Sequence, residues 1–348
     1  MTPEQLLELR HSLPPFAVEE EASPQVQVFC RHYGLDFLTQ YPGLQHVAGT
    51  VQSGAHALAV HLWRRPGATH TLLLLHGYFD HTGLFGKLIE FGLSRNCNVL
   101  MFDLPGHGLS SGDAAVIDEF SDYSRAIADV LAAVPLPDLP LWVMAQSTGS
   151  AALVEYARKH PWPFAAAVLL APLVRPVSWL RVRVAHMLLQ HFVDSVPREF
   201  VENSSDREFL AFVQQDPLQS KRVSVRWVGA LRRWLKGLPE ADLKVGPALV
   251  IQGDEDNTVA WRYNLKVISK LFPGSEIAYI AGGGHQLANE SAAIRERYLQ
   301  RVEDYLAKRG IPLGPFNSGT VPPAEADRAT DPCPYPKAHR HEPRIRRG

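Results

Sequence analysis

Cysteine is scarce in this chain. Cys30, Cys97 and Cys333 are the only three among 348 residues, too few and too far apart for a disulfide framework or a metal cluster. A reducing compartment suits such usage. An excess of one charge is also lacking: the formal net charge is −1, so no global field invites nucleic acid or an anionic lipid surface. No stretch approaches the roughly 18 consecutive apolar residues of a membrane-crossing helix. The first residues, "MTPEQLLELRHSLPPF", carry early acids and no apolar core of signal-peptide length. Internal repeats are absent. These absences predict a cytoplasmic protein without a membrane span. What is present is ordinary: 46% hydrophobic and 20% charged residues, a globular balance on a chain long enough to bury a core without disulfides or metals.

Along the chain, "SPQVQVFCRHYGLDFL" predicts a helix, with Ser23 as N-cap and Pro24 at its first position. Two strand-like segments, "HVAGTVQS" and "HALAVHLWRR", flank a hairpin turn. From residue 71 short apolar runs alternate with helical periods: "HTLLLLHG", "CNVLMFDLPG", "PLWVMAQS", "FAAAVLLAPL", "PALVIQGDED" and "EIAYIAGGGH" read as strands. Fully apolar strands separated by helices predict an α/β fold, a mostly parallel sheet covered on both faces. Such sheets carry their sites at the carboxyl ends of the strands. His76, Asp103, Ser147, Asp256 and His285 stand there.

The expected division is an N-terminal helical extension over 1–44 and a core over 45–172 and 246–311. A helical cap over 173–245 is inserted after the sixth core strand. A Pro- and Gly-rich tail over 312–348 is too poor in branched apolar residues to order itself.

Ser147 ends the run "LPLWVMAQS" and a helical pattern follows at once. By itself it is either a nucleophile on a tight strand-to-helix turn or a plain helix N-cap. The turn requires small residues two before and two after, and Ala145 and Gly149 supply them. A serine hydroxyl also needs a base, and the base an orienting acid. Downstream, "GDEDNTV" offers three carboxylates past one strand, and "GGGHQLANE" offers His285 past the last. A tetrahedral intermediate needs two preorganised backbone N–H donors. The candidates are the amides of Thr148, after the serine, and of Tyr78, in the loop after "LLLLHG". His76 reads as a brace for that loop.

"LLLLHGYFDHTGLF", "VLMFDLPGHGLSSG", "PLWVMAQSTGS", "IQGDEDNTV" and "GGGHQLANE" together resemble the α/β-hydrolase superfamily. The similarity is greatest to its monoacylglycerol lipase and lysophospholipase branch, the serine aminopeptidase-like group. The branch's oxyanion segment is matched by Asp80, His81, Thr82, Gly83 and Phe85. Its D-x-x-G-H-G-x-S is matched by Asp103, Gly106, His107, Gly108 and Ser110, read as a structural loop beneath the site. Its G-x-x-D-x-x-V is matched by Gly253, Asp256 and Val259, which selects Asp256 over Asp254 and Glu255. Its last motif is matched by Gly282, His285, Asn289 and Glu290. The serine motif departs from the branch at Ala145, Gln146, Thr148 and Ser150.

The resemblance implies an α/β-hydrolase fold with Ser147, Asp256 and His285 as catalytic residues. It also implies an acyl-enzyme route to ester cleavage that needs no metal or organic cofactor. The expected substrate is a small-molecule ester, an acyl lipid of monoacylglycerol or lysophospholipid type. Cleavage of a thioester, amide or carbon–carbon bond, or ligand binding without catalysis, remain open. Gln146 and Trp179 are candidate substrate contacts. The cap stretch with Trp179, Leu180, Val184, Met187, Leu188 and Phe192 has two readings, a transient membrane-surface contact or, preferred, an apolar face packed on the core.

Overall fold

The computed structural model describes residues 1–239 and 241–319. In chain order its strands are β1 (Gln45–Ser53), β2 (His56–Arg64), β3 (His70–Leu75), β4 (Cys97–Phe102), β5 (Leu141–Gln146), β6 (Ala166–Leu170), β7 (Ser195–Pro197), β8 (Arg222–Ser224), β9 (Leu249–Gly253) and β10 (Glu276–Ile280). The helices are α1 (Pro3–Ser12), α2 (Pro24–Tyr33), α3 (Gly86–Ser94), α4 (Phe120–Ala133), α5 (Thr148–Lys159), α6 (Trp179–Leu189), α7 (Arg207–Gln215), α8 (Val225–Lys236), α9 (Trp261–Leu271) and α10 (Ala292–Lys308).

Eight strands form one sheet in the order β1-β2-β4-β3-β5-β6-β9-β10. β1 and β2 pair antiparallel, as do β2 and β4, and every later pair is parallel. The central strands are apolar at each residue because both faces are covered. Leu72, Leu74, Met144 and Ile251 point into the cluster under α2, α3 and α10, whereas Leu73, Leu75, Val143 and Val250 enter the cluster under α4, α5 and α9. This is the α/β-hydrolase fold. It holds Leu75, Gln146, Gly253 and Ile280, the last residues of β3, β5, β9 and β10, at one edge.

Five elements, α6 to β8 and α8, fall between β6 and β9. The segment was expected to be helical throughout, but β7 and β8 form a two-stranded antiparallel ribbon. A three-residue strand offers too little periodicity to be read locally. α8 packs conventionally: Trp227, Ala230, Leu231 and Trp234 are buried at helical spacing. α6 does not. Its one buried residue is His186, set against Gly229 of α8. Leu180, Val184, Met187 and Leu188 are exposed. The preferred expectation, that this apolar face packs on the core, is therefore overturned for Leu180, Val184, Met187, Leu188 and Phe192, which face outward, whereas Trp179 does pack against the core.

α1 falls within the expected helical extension, although no separate helix was placed at its residues; Thr2 and Gln5 cap it reciprocally and Pro3 opens it. Residues 312–319, assigned to the tail, run against α3. The amides of Gly314 and Asn317 donate to the carbonyls of Arg95 and Ser94, groups that a helix end leaves open. The rest of the expected tail, with Cys333, lies outside the described residues.

Candidate active site

β5 stops at Gln146 and α5 starts at Thr148, so Ser147 alone makes the turn. Its backbone lies at φ 51°, ψ −110°, a region that costs a non-glycine residue about 1–3 kcal/mol. The surroundings hold it there: Ser147 N–H donates to Leu170 O of β6, and Ser147 O accepts from Leu173 N–H. Gly149 passes so close to β3 that a Cβ would meet Leu75 O at 2.5 Å. The small residue two after the serine is thus required by the backbone of the adjacent strand.

Three side chains far apart in the chain meet at this turn. His285 Nδ1–H donates to Asp256 Oδ2 at 2.8 Å. A carboxylate only accepts, which leaves Nε2 as the acceptor facing Ser147 Oγ at 2.9 Å. Asp256 is fixed from behind, with Oδ1 accepting from Thr258 and Val259 N–H and Oδ2 from Gln252 Nε2. Burial works against its charge, yet His285 and the two amides outweigh burial and hold its carboxyl below the ordinary range. Burial likewise opposes the His285 imidazolium, and Asp256, with Asp80 further off, outweighs it and raises the imidazole above its ordinary value. Asp254 instead accepts from Gly282 N–H at the surface, and Glu255 is exposed.

The loop bearing His285 is clamped from two sides. Glu290, fully buried, accepts from Gly284 N–H with one oxygen and from Ser205 N–H with the other. A Cβ on Gly284 would stand 2.6 Å from Asn203 O, so the insertion's backbone and the histidine loop touch directly.

Tyr78 and Thr148 both line the cavity over Ser147, and among the described residues neither amide donates to a protein acceptor. The Tyr78 phenol points away, donating to Ala115 O and stacking its ring on Trp227 at 3.9 Å. His76 Nδ1–H donates to Gly77 O and its Nε2 accepts from Leu104 N–H, tying the loop after β3 to the loop after β4. Burial holds its imidazole down to about 4. Asp103 accepts from Thr82 and Leu109 N–H, and Ser110 Oγ donates back to Asp103 O. Neither reaches Ser147.

The cavity has about 300 Å³ and joins the sheet edge to the insertion. Leu173, Val182, Val201, Val223, Leu231 and Val259 form its apolar wall. Two expected substrate contacts lie elsewhere. Gln146 Nε2 donates to the His285 carbonyl, which turns the side chain along the histidine loop and off the cavity wall. Trp179 lines a separate groove. Sequence reasoning missed Arg198 and Gln286, both on the cavity wall. Gln286 Nε2 donates to buried Asp80, whose other oxygen accepts from Gly77 N–H. Burial raises the Asp80 carboxyl, with Gln286 and Arg198 opposing. Gln286 follows His285 directly, a position the motif could have flagged. Arg198 sits in the insertion and had no such signal.

Comparison with known proteins agrees with this fold. The chain is 25% identical to human monoglyceride lipase over 291 residues, covering 79% of this chain and 93% of that protein. It is 25% identical to phospholipase YtpA of Bacillus subtilis over 210 residues, 57% of this chain and 80% of that protein. A soluble variant of monoglyceride lipase from Saccharomyces cerevisiae, solved with a substrate analog, superposes with a TM-score of 0.65 at 19% identity, over 78% of this chain and 96% of that one; that likeness is one of fold. The family described as serine aminopeptidase, S33, matches residues 67–292. With more than half its length matched, this chain belongs to that family of α/β-hydrolases.

Proposed function

We propose that the protein is a serine hydrolase that cleaves carboxylic esters of lipid-like substrates, of monoacylglycerol or lysophospholipid type, through an acyl-enzyme. The observation that carries this reading is the unbroken hydrogen-bonded chain from Ser147 Oγ through His285 to Asp256 at the floor of a largely apolar cavity. Ser147 Oγ attacks the ester carbonyl as its proton passes to His285 Nε2. Asp256 holds the imidazole in the required tautomer and stabilises the imidazolium. The Tyr78 and Thr148 amides receive the oxyanion. His285 then protonates the leaving alcohol, and a water activated by the same nitrogen releases the acid. The names of the relatives, a monoglyceride lipase and a phospholipase, support an acyl lipid. The volume of about 300 Å³ is at the lower end for ligand sites and favours acyl groups of short or medium length.

The test pairs a fluorophosphonate probe with a panel of esters graded by chain length. Wild type should label and turn over the shorter esters fastest. Ser147→Ala should lose the label and about 10³-fold or more in kcat. Labelling without turnover of any ester would move the reaction to another acyl bond, and retention of both by Ser147→Ala would reject the nucleophile.

A further inference from the structure

Outside the catalytic cavity, a groove of about 680 Å³ runs between α6, α8 and α9. Six cations line it: Arg175, Arg183, Arg232, Lys236, Lys266 and Lys270. Among the described residues no carboxylate does. Among the described residues, none of the six pairs with an Asp or Glu. In a chain of net charge −1 this is a marked local asymmetry. Like charges converging on a concave surface repel one another and focus a positive potential that an anion relieves. The groove also has flat apolar walls in Trp179 and Tyr263, and the Arg175 guanidinium lies 3.4 Å over the Tyr263 ring.

One wall of the groove is α6, and the same helix turns an apolar ridge to solvent. Leu180, Val184 and Leu188 recur at i, i+4 and i+8, so they share one face. Leu180 is 70% and Leu188 65% exposed, and Phe192 just beyond the helix is 82% exposed. Arg183 faces the groove, whereas Val182 lines the catalytic cavity. A helix with an exposed apolar stripe beside clustered Arg and Lys has the composition of an interfacial element. The cations attract lipid phosphates and the leucines enter the acyl boundary.

We infer that α6 and the basic groove together form a docking surface for an anionic bilayer, with phosphate-bearing headgroups in the groove and the Leu180–Val184–Leu188 ridge in the lipid. Docking would bring the cavity mouth within about one helix diameter, roughly 10 Å, of the bilayer. The inference goes beyond the catalytic reading and does not depend on it, because partition is measured without turnover.

The experiment uses the full chain carrying Ser147→Ala, sedimented with vesicles of phosphatidylcholine alone or with one part in three phosphatidylglycerol. Partition should be far stronger on the anionic vesicles and should weaken with added salt. Lys266→Gln with Lys270→Gln, both exposed on α9, should lower it roughly twenty-five-fold, at about fivefold per cation near a charged surface. Leu180→Ser with Leu188→Ser should lower it at least about tenfold on both vesicle types. Circular dichroism identifies a variant that has unfolded, and Lys266→Arg should retain binding. Equal partition on the two vesicle types, or an unchanged lysine double variant, overturns the inference. So does saturable binding of inorganic phosphate without vesicle binding, which would make the groove a site for a soluble anion.

Discussion

Asp256 and Asp254 differ by two positions and by nearly everything else. Asp256 is buried, accepts from two amides and a glutamine, and faces His285. Asp254 holds one surface amide. Asp256→Asn should therefore cost about 10³- to 10⁴-fold in kcat by disturbing the histidine tautomer. Asp254→Asn should cost less than about tenfold, the worth of one partly solvated hydrogen bond. Steady-state kinetics on one ester compares them, and equal losses would remove Asp256 from its role. In the proposed mechanism His285 must be neutral to accept the serine proton. Its imidazole is raised above the ordinary histidine value of about 6.5, so kcat/KM should climb with pH along a limb centred above that value. A limb centred below it would contradict the ion pair with Asp256. The strand-end positions of Ser147, Asp256 and His285 are legible because short apolar runs stop just before them. The turn of Gln146 toward the histidine loop is not legible, since it depends on where the His285 carbonyl lies, 139 residues away.

At the scale of elements, α2 is tied to both the loop after β3 and the insertion through one buried carboxylate. Asp216, between α7 and β8, accepts from the Tyr33 hydroxyl at 2.7 Å and from His81 Nε2–H at 2.7 Å. Burial disfavours the Asp216 charge, but His81 and these donors outweigh it and hold the carboxyl below its ordinary range. Tyr33→Phe should lower stability by about 1.5–3 kcal/mol, the worth of a buried hydrogen bond to a charged group. Urea unfolding at pH 7 measures it, and a loss under about 0.5 kcal/mol would mean Asp216 finds another donor. The helices with a cap signal and an apolar stripe, α2 and α5 among them, are readable from their own residues. α1 also carries its signal, Thr2 with Gln5, in a segment whose sparse apolar pattern hides it. β7 and β8 are not readable, because each is three residues long and exists only by pairing with the other.

Across the whole molecule, among the described residues, six buried histidines have imidazoles that burial pushes down: His61 and His76 to about 4, His107 to about 3, His46 well below its ordinary value, and His70 and His186 also below theirs. Unfolded, each would take up a proton near pH 6.5. As pH falls below 6.5 the unfolded chain binds protons that the folded one refuses, so stability declines down to about pH 4. His81 and His285 are raised and act in the opposite sense, contributing fully below 6.5 and losing that contribution as pH rises through their folded values. Six against two, the urea midpoint should fall steadily from pH 7 to 5.5 to 4.5. A midpoint that holds constant over that range would mean that these histidines are solvated or that carboxylates compensate them.

Composition and order along the chain determine the parallel sheet, the strand ends and the residues standing at them, because burial on two faces and strand-to-helix alternation leave their mark in neighbouring residues. Tertiary structure alone decides which side chains meet and which faces stay open. The 2.8 and 2.9 Å contacts of His285 and the carboxylate shared by Tyr33 and His81 join residues tens to hundreds of positions apart. Local periodicity says that a helix has an apolar face; whether that face is covered depends on what the rest of the chain brings to it.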